Sequence, residues 1–141
     1  IDEEKWLTAG DQLSTAEFSW GRAGLATCYD LRFPELFRRY VEQKVIANLI
    51  VAEWPLRRLS HWQILLRARA IENQAFVIAV NAAGSTDQVV YGGHSCIISP
   101  WGDLLAGADE GPELVIAELD MELVNQVRKK MPVLKDIRTN L

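Results

Sequence analysis

Cysteine is nearly absent from this chain, with only Cys28 and Cys96 among 141 residues. With no C-x-x-C pair and no zinc-type histidine spacing, the two build neither a disulfide framework nor a metal site. Two free thiols suit a reducing compartment, so a cytoplasmic protein is the expectation. Long apolar runs are missing as well. The longest, VIANLIVA from Val45 to Ala52, falls far short of the ~20 residues that span a bilayer, and nothing at the start resembles a signal peptide. An excess of positive charge is also lacking. The net charge is −4, with bases interleaved among acids, which excludes the electrostatic footprint of a nucleic-acid or anionic-membrane binder. No repeat, low-complexity run or linker divides the chain.

What is present is ordinary globular composition. A hydrophobic share of 49% beside 24% charged residues is enough for one domain, or part of one, and wrong for disorder. The opening IDEEKWLTAGDQ has no initiator Met and reads as the middle of a loop, which raises the expectation of a longer chain.

The pattern predicts elements in a definite order. QLSTAEFSW (Gln12 to Trp20) partly alternates like a half-buried strand, and RAGLATC (Arg22 to Cys28) is a more buried one. Pro34 opens a helix that places Leu36, Phe37, Tyr40 and Val41 on one face. KVIANLIVAEW is a strand covered on both sides. Ser60 then offers an N-cap for the helix HWQILLRARAIENQ, with Trp62, Leu65, Leu66, Arg69 and Ala70 near helical spacing. AFVIAVN is another buried strand, GSTDQ a loop, and HSCIIS and LLAGA a hairpin around PWGD. ELVIAELD is a last strand, and Asp120 caps the amphipathic helix MELVNQVRKKM, closed by Pro132; VLKDIRTNL is too weakly patterned to assign. Strands alternating with helices, then a meander, give an α/β layered fold with a mixed sheet.

Cys28 ends a buried strand just before a charged turn that carries Tyr29, Asp30, Arg32 and Glu35. In open α/β sheets, catalytic groups sit outside the carboxyl ends of strands. A thiol there can act as nucleophile, with following backbone N–H groups such as that of Tyr29 aimed at a developing oxyanion. A buried core cysteine fits the local pattern equally well. Cys96, mid-strand in HSCII, reads as core. His61 and His94 are the histidines a Cys–His pair would use, and neither has a local signature for it. The acidic cluster Asp2, Glu3, Glu4 reads as a solvated loop. Arg32 and Glu35 form either an ion pair behind the turn or a solvated surface pair.

Taken in order, GLATCYDLRFPELFR, AEWP, HWQILLRARAIENQAFVIAVN and GGHSCIISPWGDLLA resemble the nitrilase superfamily of carbon–nitrogen hydrolases, over roughly Glu3 to Pro132. The resemblance implies an αββα sandwich and a Glu–Lys–Cys triad acting without a cofactor or metal. Cys28 matches the nucleophile, and Tyr29 matches the residue whose backbone N–H completes the oxyanion hole. Glu3 matches a second glutamate that orients the triad or substrate. The family's general base and lysine precede the matched region, and Lys5 follows the Glu3 match rather than preceding it. Residues 1–141 are therefore expected to form the C-terminal part of one such domain, inactive alone.

The same resemblance is closest to bacterial ω-amidase-like members. It implies hydrolysis of a small ω-amide through a thioester with ammonia release, by a homodimer or higher homo-oligomer. Trp54, Glu53 and Arg58 are the candidate substrate-binding residues: Trp54 either walls a small pocket or packs in the core, and Arg58, or Arg57, either receives a carboxylate or is solvated. The competing readings are a non-catalytic fragment or assembly module, and a relative that hydrolyses nitriles or N-carbamoyl groups. A sandwich sheet without its mate exposes apolar faces on VIANLIVA and AFVIAVN, so the chain alone is expected to associate or be poorly soluble.

Overall fold

Gly21–Thr27 runs as a strand although Gly and Ala are poor strand formers, because both of its edges are paired and satisfy the backbone. It is β2 of a computed structural model that describes residues 3–138. Asp2, and Thr139 to Leu141 of the unassigned tail, lie outside the described residues. β1 (Thr15–Phe18) pairs with β2 antiparallel. After β2 the chain alternates: α1 (Pro34–Glu42), β3 (Ala47–Ala52), α2 (Leu59–Asn73), β4 (Phe76–Asn81). The strands β2, β3 and β4 are parallel neighbours, in register Leu25–Leu49 and Leu49–Ile78. A short hairpin, β5 (Ala83–Ser85) and β6 (Val90–Gly92), stands apart from this sheet. Then β7 (Cys96–Ile98) and β8 (Leu104–Gly107) extend it antiparallel, in the order β1-β2-β3-β4-β7-β8. A final helix, α3 (Glu122–Lys130), follows.

The core lies on one face of the sheet. Ala26, Ile50, Val77, Ala79 and Ile98 meet Phe37 and Tyr40 of α1 and Trp62, Leu66 and Ala70 of α2. Burying each of the larger of these side chains is worth roughly 1.5–3 kcal/mol, and this face is where the fold's stability concentrates. Gly24 permits the closest approach: a Cβ there would meet the Tyr40 ring at 2.8 Å. The Tyr40 hydroxyl donates to the Leu25 carbonyl, and burial pushes its pKa up.

The opposite face is treated differently. Its upper end, Ala47 and Phe76, is covered by Val124 of α3 with Leu119, Met121 and Leu123. Arg128 fastens α3 there by donating to the carbonyls of Val45 (3.0 Å) and Asn73 (3.3 Å). Further along that face Val51 and Val80 are 55% and 56% exposed, and Leu25 is exposed beside them. Double-sided burial is thus realised on one side only. The described residues supply one helix layer and one sheet layer of the expected αββα sandwich.

Five local expectations are corrected. Residues 113–120, expected as a strand, have no strand partner among the described residues, and Leu114 and Ile116 stand 82% and 75% exposed. Their alternation is strand-like, but a strand needs a hydrogen-bonded neighbour. Helix α2 begins at Leu59 with no side-chain cap, so Ser60 lies inside its first turn. Part of the expected GSTDQ loop is strand: Gly84 and Ser85 pair with Tyr91 and Val90. Arg32 does not pair with Glu35; its guanidinium lies over the rings of Trp54 (4.7 Å) and Tyr29 (5.8 Å). At the start of α3, Met121 holds the N-cap position with no side-chain bond; Asp120, expected as the cap, lies one residue earlier, where its Oδ1 accepts the Glu122 N–H at 3.0 Å. No helix among the described residues is long and apolar enough to cross a membrane.

Candidate active site

Where β2 ends, the backbone reverses hand. Cys28 opens a 3-10 turn, Cys28–Arg32, with φ of +45°, a left-handed conformation that costs a side-chain-bearing residue on the order of 1 kcal/mol or more. Such a turn persists only if its surroundings hold it. Three contacts do. The Asp30 carboxylate accepts the Thr27 N–H at 2.8 Å, clamping the turn from below. The Phe33 N–H closes on the Asp30 carbonyl at 3.0 Å. From α2, Arg69 donates both Nε (3.1 Å) and Nη2 (2.7 Å) to the Leu31 carbonyl. Arg69 is buried, its charge met by Glu72 at 2.9 Å and by the Phe37 ring. The nucleophile candidate is therefore held by charge-assisted bonds from a neighbouring helix.

The turn delivers Cys28 into a cavity of about 670 Å³, whose lining includes Glu3, Glu53, Arg57 and Arg58. Glu3 arrives from a 3-10 turn, Glu3–Lys5, and the others from the segment after β3. Glu53, Arg57 and Arg58 have no side-chain hydrogen bond or ion pair among the described residues. Two unpaired guanidiniums facing a cleft offer the planar, forked donors that a carboxylate can accept from. No lysine is among the described residues that line the cleft, and no cluster of three metal-binding side chains occurs among the described residues.

Trp54 stands behind the wall rather than in it. It is 2% exposed, packed on Trp62 at 5.6 Å, and its Nε1 donates to the Arg58 carbonyl at 2.8 Å. Its backbone is gripped by Asn81, whose Oδ1 accepts the Trp54 N–H at 2.6 Å and whose Nδ2 donates to the Trp54 carbonyl at 3.2 Å and to that of Gly93 at 2.8 Å. An indole so anchored fixes the segment that carries Glu53 and Arg58 and has no face left for a ligand. The Tyr29 ring, 66% exposed and edge-on to Phe33 at 5.3 Å, is not part of the cleft lining, while its backbone adjoins Cys28.

Neither histidine approaches Cys28. His61 is exposed on α2, and His94 donates Nδ1–H to the Gly92 carbonyl at 2.8 Å. His94 lines a separate cavity of about 220 Å³ with Cys96 and Arg67. There burial pushes the Cys96 thiol up to about 11, against the pull of Arg67.

Sequence reasoning missed the residues that work through others. Arg69 carried a readable signal, a cation on the apolar face of a helix, which must be paired if buried. Asn81, polar at the end of an apolar strand, carried a similar one. Asp30 sat in the charged turn without a role. Val89 and Tyr91, which reach the cleft from the β5–β6 hairpin, had no signal at all.

A family model for carbon-nitrogen hydrolases matches residues 2–129. The chain is 46% identical over 143 residues to a 2-oxoglutaramate amidase of Paenarthrobacter nicotinovorans, covering 99% of this chain and 49% of that protein. Among solved structures, the C. elegans NitFhit protein superimposes with a TM-score of 0.92 at 34% identity, over 98% of this chain and 34% of that one. An amidase from Nesterenkonia sp. AN1, seen with acrylamide added to its active-site cysteine, gives a TM-score of 0.79 at 25% identity, over 94% and 53%. The chain spans about half the length of the curated relatives it matches.

Proposed function

Since the chain belongs to the carbon–nitrogen hydrolase family, we propose that Cys28 is the nucleophile of an amidase acting on a small ω-amide that carries a carboxylate. One observation carries this reading: a thiol in a left-handed turn at a strand end opens into the same cleft as two unpaired arginines and two glutamates. The Cys28 sulfur adds to the amide carbon, and the carbonyl oxygen becomes an oxyanion beside the Tyr29 backbone N–H. The C–N bond then breaks, ammonia leaves with the proton that the Cys28 thiol gave up, and a thioester remains. Water adds to the thioester, the C–S bond breaks, and the acid and free thiol are regenerated.

Glu3 orients the reacting groups, and Arg58, with Arg57 beside it, holds the distal carboxylate. Glu53 adjoins them on the cleft wall. The relatives' name, 2-oxoglutaramate amidase, fits a substrate with an amide at one end and a carboxylate at the other. The general base and lysine that the resemblance implies are not among the residues lining this cleft, so we expect full turnover only where they are supplied. The outward face of α2, with exposed Ile64 and Ile71, suits the expected homo-oligomer.

In the full-length protein, Cys28→Ala is expected to lower ammonia release from a five-carbon ω-amide by at least about a thousandfold, while Cys96→Ala leaves it within about twofold. Ammonia release that survives Cys28→Ala would sink the proposal.

A further inference from the structure

The cleft does not end at its arginines. A second cavity of about 410 Å³ is lined by Pro55, Leu56, Arg57, Gln88, Val89 and Val90. Three of these, Pro55, Arg57 and Val89, also line the cavity that holds Cys28. The two spaces therefore adjoin along a shared wall, with Arg57 at the junction. The acids are on one side only: Glu3 and Glu53 line the Cys28 cavity and not the annex. The annex is apolar apart from Arg57 and the Gln88 amide.

Its shape is built rather than incidental. The hairpin turn above it is pinned by the Thr86 hydroxyl, which accepts the N–H groups of Gln88 (3.4 Å) and Val89 (3.2 Å), and by the Thr86 N–H on the Val89 carbonyl (2.8 Å). The hairpin is docked on the segment below through a bridge between Pro55 and Tyr91, and through the Gly92 N–H on the Trp54 carbonyl at 2.8 Å. A five-carbon amide needs only the first cavity, since each space falls in the range of about 300–1,000 Å³ that receives ligands of larger size.

Resting on the amidase reading, we propose that the ligand is a two-part ω-amide. Its carboxylate is received by Arg57 and Arg58, and an apolar acyl tail, joined beside that carboxylate through an amide link, lies in the annex against Leu56 and Val90. Gln88, on the annex wall, hydrogen-bonds the tail's amide link. The substrate class is thus an N-acylated amino-acid ω-amide rather than a bare one, and the β5–β6 hairpin sets tail preference.

The test uses protection of Cys28 from iodoacetamide, read by peptide mass spectrometry, with Cys96 in its separate cavity as internal reference. The probes are two product-type acids that differ only in tail, N-formylglutamate and N-hexanoylglutamate. In the wild-type protein the hexanoyl acid is expected to protect Cys28 at about tenfold lower concentration. Val90→Trp, at an exposed position where the fold tolerates bulk, fills the annex; it removes that advantage and leaves the formyl midpoint unchanged. Leu56→Trp gives the same result from the opposite wall. Equal midpoints in the wild type, or an advantage that survives both substitutions, overturn the annex alone. If the formyl acid does not protect at all, the carboxylate-binding reading fails, and the annex with it.

Discussion

Two cysteines occupy the ends of one scale. Cys96, expected mid-strand, is the first residue of β7; it packs against the core, and burial holds its thiol protonated, with a pKa pushed up to about 11. Cys28 lies one residue past the end of β2, in a backbone conformation most residues avoid, at the edge of a cleft that shares its space with two guanidiniums. Both residues are half-buried, and both pack against the same core. Their shared half-burial does not separate the two, and their places on their strands do. Cys96 begins a strand and packs into the core, whereas Cys28 follows a strand's end and its left-handed turn opens it toward the cleft.

Alkylation rates sharpen the contrast most. At pH 8 a thiol with a pKa of about 11 is thiolate in roughly one molecule per thousand. Cys28 is expected to react with iodoacetamide at least about a hundredfold faster than Cys96, and the Cys96 rate should climb about tenfold per pH unit up to pH 10. Comparable rates at pH 8 would erase the distinction.

Removing the helix clamp should blur it. Arg69→Gln takes away the two bonds to the Leu31 carbonyl and leaves Glu72 without its partner. A loss of about 3 kcal/mol in urea unfolding is expected. A narrower gap between the two alkylation rates should accompany it, and Arg69→Lys should restore part of that gap. A variant equally destabilised elsewhere in the core, such as Val77→Ala, should leave the gap intact. If it narrows the gap as much, the clamp has no special role.

The smallest effect is on stability against pH. The folded-state pKa of Cys96 lies above the thiol's ordinary 9.0. The unfolded chain therefore gives up its proton first as pH rises. The contribution of this thiol is fully present below pH 9 and declines between about pH 9 and 11. Cys96→Ala should make the melting temperature flatter across that window than in the wild type. Tyr40, also raised, titrates in the same direction and remains in both proteins as a common background.

Much of the scaffold was legible because it is written in local pattern. The alternation and apolar runs of β2 and β4, and the Pro34 start of α1, appear within a residue of their expected positions, and β3 begins three residues inside its expected run. The cleft was legible in part. Glu3, Cys28, Glu53 and Arg58 meet although they are scattered over 56 positions, and only the family resemblance had linked them. Trp54 was left between two readings because an aromatic residue after a strand reads the same as a wall or as a core plug. Its neighbour Asn81, 27 residues away, decides the matter by fixing its backbone. The expected strand over 113–120 failed for a related reason. Alternation announces a strand's faces, but pairing depends on a neighbour that no local pattern names. The same limit applies to the bare stretch of the sheet around Val51 and Val80, where composition announced two covers and the described residues supply one.

The clamp on Leu31 reaches across 38 positions of sequence, and this sets a timetable. During synthesis at ~5–20 residues per second, Cys28 emerges seconds before Arg69 does. Until α2 docks, the left-handed turn has no external restraint, and the chain gains nothing by adopting a strained conformation. The left-handed presentation of Cys28 is therefore set by tertiary closure, not by local sequence alone. A nascent or partly unfolded chain has no cleft for this sulfur to face, and the completed fold supplies one.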